Sequence, residues 1–132
     1  MLALIAPGQG SQIPGMLTPW IADPALHALV KSWSEAIDLD LIHLGTEADA
    51  EEIRDTANAQ PLIVAAGLLS AKALHLDKEF SFLAGHSVGE ITVAAIAGVI
   101  SEIDALRLVR VRGTEMAKAA QDSQSGMSAV LG

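Results

Sequence analysis

The 132-residue sequence contains no cysteine, so disulfides and thiolate metal sites are excluded. Aromatic residues make up only 3% of it, against 51% for hydrophobic residues as a whole. The core must then be aliphatic, built from Leu, Ile, Val and Ala, which suits helices packed on a sheet of short strands. Basic residues are scarce too: 8 Lys and Arg stand against 16 Asp and Glu, for a net charge of −8. A nucleic-acid surface needs a basic stripe to neutralise phosphates and is not expected here. Long apolar runs are also missing. The two longest, residues 61–69 and 91–100, have the length of core helices, and no basic segment opens the chain as in a signal peptide. These absences predict a soluble, cytoplasmic protein without membrane or nucleic-acid partners, made of one domain or a piece of one.

Residues 2–6 form a short continuous apolar run ended by Pro7-Gly8 and read as a buried, parallel strand. Gly8-Gln9-Gly10-Ser11-Gln12 follows as a loop at its carboxyl end. Residues 24–37 read as a helix with Leu26, Leu29, Val30, Trp33 and Ile37 on one face. Residues 38–60 are polar and acidic, with short helical turns expected around 47–55. Pro61 suits the first turn of a helix. That helix, apolar nearly all round from 62 to 74, should be buried. Residues 80–84 read as a second strand. An Ala-, Val- and Ile-rich helix then runs to about Ala97 and stops near Gly98. Ser101-Glu102-Ile103-Asp104 resembles a capping box with Asp in place of Glu, opening a helix to about Ala120. Residues 121–126 look linker-like, and 127–131 read as a third strand. This order predicts an α/β, three-layer fold with a short, mostly parallel sheet. Ending on an uncovered apolar strand, residues 1–132 read as the N-terminal part of a larger fold.

Gly85-His86-Ser87-Val88-Gly89 matches Gly-x-Ser-x-Gly between a strand and a helix. A sharp strand-to-helix turn exposes the serine hydroxyl, and its neighbours must be small so that strand and helix can approach. Ser87 would lie at a helix N-terminus, where free N–H groups favour a developing oxyanion. Serine is also a good helix cap, so a purely structural turn stays open. His86, adjacent to Ser87, should point away from it and makes a poor general base. Acyl transfer needs two donors around the tetrahedral oxygen: Val88 N–H is one, and an early loop usually supplies the other. The 8–12 loop is placed for this with Gln9, although an ordinary glycine turn reads the same way. Arg112 falls in the helical stripe of Ala105, Leu108, Val109, Met116 and Ala119. A guanidinium in a buried stripe needs an anion. Glu115 at i+3 is one candidate; a substrate carboxylate, gripped by two hydrogen bonds, is the other. Arg107, beside Asp104, looks solvent-facing.

In combination, Pro7-Gly8-Gln9-Gly10-Ser11-Gln12, Gln60-Pro61, Gly85-His86-Ser87-Val88-Gly89-Glu90, Arg112-Gly113 and Gly126-Met127 resemble the malonyl-CoA:acyl-carrier-protein transacylases of fatty-acid synthesis. The acyltransferase domains of polyketide synthases are similar. The resemblance implies a malonyl ester on Ser87, an oxyanion hole from the Gln9 and Val88 amides, and Arg112 on the malonyl carboxylate. It implies substrate contacts for Gln60 and His86. It also implies a ping-pong transfer from malonyl-CoA to the phosphopantetheine thiol of acyl carrier protein. CoA and phosphopantetheine enter as parts of substrates, so no separate cofactor and no metal are expected.

In that family the general base is a histidine well downstream of the serine. Here His27, His43, His75 and His86 all precede Ser87 or adjoin it. A small ferredoxin-like subdomain, expected after residue 132, is absent as well. The remainder of the same enzyme is therefore expected to complete the site and much of the carrier contact, and residues 1–132 alone should turn over little. Within enzymes the rival reading is an α/β-hydrolase-type serine esterase or thioesterase, which needs no Arg112. A non-catalytic truncated paralogue is the rival outside them.

Overall fold

A computed structural model describes residues 2–74 and 80–123. Strand β1 (Ala3–Ala6) pairs in parallel with β2 (Phe82–Gly85), Ala3 opposite Phe82 and Ala6 opposite Gly85. Between them run α1 (Thr18–Ile21), α2 (Pro24–Ile37), α3 (Leu41–Thr46), a 3₁₀ turn (Glu52–Arg54) and α4 (Thr56–Ala73). After β2 come α5 (Gly89–Ile96) and α6 (Glu102–Ser123). Parallel strands joined and followed by helices make the α/β architecture expected. The predicted strand at 127–131 lies outside the described residues. Among these, no helix is long and apolar enough to cross a membrane.

The core is helical. α4 is buried almost all round, from Ala59 to Ala66 and at Leu68 and Leu69, and packs most extensively on α6. α2 contributes Val30, Trp33 and Ile37, the face read from its periodicity. α3 occupies a stretch read only as polar. Its Leu41 and Leu44 are buried, and Asp40 caps it by accepting from His43 N–H at 2.9 Å. α5 stops at Gly98, which adopts φ +74°.

Four expectations are corrected. β1 is not buried: Ile5 is 74% exposed and only Ala6 is buried, because a two-stranded sheet leaves much of its surface uncovered. α4 begins five residues before Pro61, at Thr56, with Asp55 accepting from Ala57 N–H at 2.8 Å. Proline inside the helix removes the N–H that would reach the Ala57 carbonyl; Arg110 Nη1 donates to that carbonyl instead, at 3.3 Å. α6 extends through Gln121 to Ser123, into the stretch read as linker. The capping box keeps one limb, Asp104 N–H donating to Ser101 Oγ at 3.0 Å. The short Asp104 side chain accepts a hydrogen bond from the Ser101 hydroxyl, at 2.7 Å, instead of reaching the backbone.

Candidate active site

Strand β2 delivers Gly85 to a tight corner from which α5 departs at Gly89. Ser87 sits at that corner with φ +54°, a left-handed conformation that a non-glycine residue adopts at some cost. A side chain on Gly85 would run into the backbone of Gly89 and Glu90, and one on Gly89 into the carbonyls of Ala6 and Pro7. The motif's small residues are thus required by backbone approach, and the Ser87 side chain is left exposed. His86 turns toward the first loop: a Cβ on Gly8 would lie 2.8 Å from its carbonyl oxygen and against its ring. His86 N–H donates to Ala6 O at 3.0 Å, which seats the elbow beside the carboxyl end of β1. Gln9 and Val88 therefore belong to two adjacent turns. Among the described residues, neither of their backbone N–H groups donates to an acceptor.

Arg112 reaches the same corner from α6. Its Nη2 donates to Ser87 Oγ at 3.3 Å and its Nη1 to Gln60 Oε1 at 2.7 Å. Glu115, the alternative partner, pairs with Lys118 at 2.7 Å instead. Among the described residues no carboxylate lies within ion-pair distance of Arg112. The stripe around it is also corrected. Ala105, Leu106, Val109 and Gly113 are buried, whereas Leu108 is 51% exposed and Ala119 is exposed. A Cβ on Gly113 would lie 2.7 Å from Thr56 O. This close approach puts the 105–109–113 row against α4 and leaves Arg112 half-buried at the row's margin, where its head can reach the elbow. Arg107 is solvent-facing, as expected, 3.9 Å from Asp104.

Gln60 is fully buried, at 0% exposure, behind Arg112. Its Nε2 donates to Met116 Sδ at 3.2 Å and to Gln9 Oε1 at 3.5 Å. Gln9 Nε2 donates to Thr56 Oγ1 at 3.0 Å. Gln12 Nε2 donates to Ile53 O at 3.2 Å, and Gln12 Oε1 accepts from Gly10 N–H at 2.8 Å. Sequence reasoning singled out Ser87, Arg112, Gln9, Val88, Gln60 and His86, and all six gather at one corner. It missed Thr56 and Met116, which sit four residues before and 56 after Gln60. The four-residue spacing to Thr56, one helical turn, was the available signal.

A permanently charged donor beside an exposed serine hydroxyl, with two unpaired amides nearby, can hold an acyl group that carries a second carboxylate. A family model described as acyl transferase domain matches residues 4–131. The malonyl CoA-acyl carrier protein transacylase of Mycobacterium bovis is 56% identical over all of this chain and 45% of its own length. The protein of that name from Salmonella typhimurium is 37% identical over 98% of this chain and 43% of its own. A crystal structure of the Mycobacterium tuberculosis enzyme superposes with a TM-score of 0.86 at 54% identity, covering 92% of this chain and 42% of that one. The chain thus spans less than half the length of these curated relatives. It belongs to the acyl transferase domain family.

Proposed function

We propose that the protein transfers a malonyl group from malonyl-CoA to the phosphopantetheine thiol of acyl carrier protein, through an ester on Ser87. One observation carries this reading: the Arg112 guanidinium, with no carboxylate partner among the described residues, is fixed by buried Gln60 at 3.3 Å from Ser87 Oγ. A guanidinium at a site's edge that lacks an anion is a receptor for one. An esterase or thioesterase acting on uncharged acyl groups has no use for it.

In the first half-reaction Ser87 Oγ attacks the thioester carbonyl and its proton passes to a base. The C–S bond then breaks, and CoA leaves as the thiol. The Gln9 and Val88 amides receive the negative oxygen of the tetrahedral intermediate; one such donor is worth roughly 2.7–4 kcal/mol. In the second half-reaction the carrier's thiol attacks the ester, and Ser87 recovers its proton as the malonyl thioester departs. Among the described residues no histidine bonds to Ser87 Oγ, and the family resemblance puts the base well downstream of the serine; this reading therefore takes the base from beyond residue 132. CoA and phosphopantetheine travel with the substrates, and the cytoplasm is the setting the reaction calls for. A solved malonyl-transacylase bound to a type II PKS acyl-carrier protein, 36% identical to this chain, supports the choice of partner.

The test is intact-mass measurement after incubating the full encoded polypeptide with malonyl-CoA or acetyl-CoA. One malonyl group should appear on Ser87, Ser87→Ala should stay unlabelled, and Arg112→Ala should reverse the preference in favour of acetyl. Equal labelling by both thioesters, unchanged in Arg112→Ala, would point instead to an esterase-like enzyme. Residues 1–132 alone should show little turnover.

A further inference from the structure

The side chains behind Ser87 form a continuous hydrogen-bonded row whose polarity is dictated from one end. A guanidinium has donors only. Gln60 must therefore turn its oxygen to Arg112, which it does at 2.7 Å. Its amide nitrogen is then directed at Gln9 Oε1, at 3.5 Å. Gln9 in turn is left with its nitrogen toward Thr56 Oγ1, at 3.0 Å. Neither amide can flip without setting two donors face to face, and Gln60, at 0% exposure, has no water to turn to. The row ends on the Thr56 hydroxyl, its last acceptor.

The loop this row enters has little else to hold it. Among the described residues, no backbone–backbone hydrogen bond joins residues 8–12 to the rest of the chain. Its links are the Gln9 and Gln12 side chains, which donate to residues 56 and 53, the longer contact of Gln60 with Gln9 Oε1 at 3.5 Å, and the steric contact of Gly8 and His86. Thr56, by contrast, is anchored. It opens α4, which Asp55 caps by accepting from Ala57 N–H. Its carbonyl lies under Gly113 of α6, and the next carbonyl, that of Ala57, is held by Arg110.

We propose that Thr56 is a positioning residue for the first loop: its hydroxyl fixes the Gln9 side chain, and through it the direction of the Gln9 backbone N–H, in register with Gln60 and Arg112. The proposal rests on the reading of Gln9 as an oxyanion donor. Valine is nearly isosteric with threonine but cannot accept a hydrogen bond, whereas serine can. The experiment therefore compares Thr56→Val with Thr56→Ser by two readouts. One is amide hydrogen exchange in residues 8–12; the other is the rate of Ser87 acylation at saturating malonyl-CoA.

Thr56→Val should speed loop exchange by up to about tenfold, the equivalent of one lost hydrogen bond. It should slow acylation roughly 100-fold, as small misplacements of catalytic groups do. The half-saturating malonyl-CoA concentration should stay within about threefold, because Arg112 keeps its Gln60 partner. Thr56→Ser should restore both rates. Wild-type exchange and acylation in Thr56→Val would overturn the proposal, as would a serine variant as impaired as the valine one. If even the wild-type protein takes no malonyl group, the functional reading fails, and loop exchange alone decides whether Thr56 positions Gln9.

Discussion

The two turns that meet at Ser87 are held by different forces. The elbow is held by backbone packed on backbone. Gly89 lies against the carbonyls of Ala6 and Pro7, Gly85 against Gly89 and Glu90, and a strained Ser87 is locked between them at φ +54°. The first loop is tied mainly by side chains, with Gln9 on Thr56, Gln12 on Ile53, and Ser11 Oγ donating to Gly8 O at 2.9 Å. Steric contacts of this kind are nearly all-or-none, whereas each hydrogen bond contributes about 1 kcal/mol and can be lost singly. A nucleophile that must stay strained is thus mounted on the unyielding element. The loop proposed to hold the oxyanion donor is mounted on the adjustable one.

Gly89→Ala attacks the first kind of support and should have the largest effect. The added methyl meets two carbonyl oxygens that belong to the strand end and cannot turn aside. Overpacking against backbone should cost about 3 kcal/mol or more. In urea unfolding the midpoint should fall sharply with little change in slope. A loss below about 1 kcal/mol would show that the elbow yields, and the contrast between the turns would collapse.

Gln12→Ala attacks the second kind. It removes the bond to Ile53 O at 3.2 Å and the bond from Gly10 N–H at 2.8 Å, both at the surface or only partly buried. Stability should fall by only about 1 kcal/mol. Amide exchange in residues 8–12 should nevertheless rise clearly, while the amides of α5 keep their wild-type protection. Equal loosening of α5 would mean that loop and elbow form one cooperative unit.

The same division explains what could be read from the sequence. Gly85, Ser87 and Gly89 announce their turn because the residue pattern that marks it lies within five positions, even though Gly89 also answers to Ala6 and Pro7. The buried face of α2, the all-round burial of α4 and the stop at Gly98 were legible for the same local reason. Arg112 stood out because a charge near an apolar row demands an explanation. The start of α4 was misplaced because Pro61 usually opens a helix. Here a residue from another helix, Arg110, takes over the carbonyl that proline strands. The spacing of Thr56 from Gln60 hinted at a shared helix face, but its role as an anchor depends on Gln9, 47 positions earlier, which no local spacing shows. The exposure of Ile5 and Phe82 was equally hidden: an apolar strand carries the same letters whether or not its surface is covered in a given stretch of chain.

The weakest support lies one step behind the first loop and can be titrated. His43, on α3, holds the 3₁₀ turn that contains Ile53 and leads to Thr56: its Nε2 lies 3.1 Å from Glu52 Oε1, and its Nδ1 3.7 Å from Glu47 Oε2. The hydrogen bond to Glu52 is the main reason its pKa is raised above 6.5; burial opposes the shift, and the charges of Glu52 and Glu47 add to it. A histidine whose pKa is higher folded than unfolded stabilises the fold in its protonated form. That contribution is complete below the unfolded value of 6.5 and is lost as the pH rises through the higher folded value. His43→Gln should therefore be less stable than wild type in mildly acid solution, and the two unfolding curves should converge as the pH rises past neutrality. Because the imidazole is solvent-exposed, this gap should be the smallest of the effects predicted here and should shrink with added salt. A gap that instead widened with rising pH would mean that His43 supports the turn as a neutral hydrogen-bonding group, and the ion-pair account of the turn would be wrong.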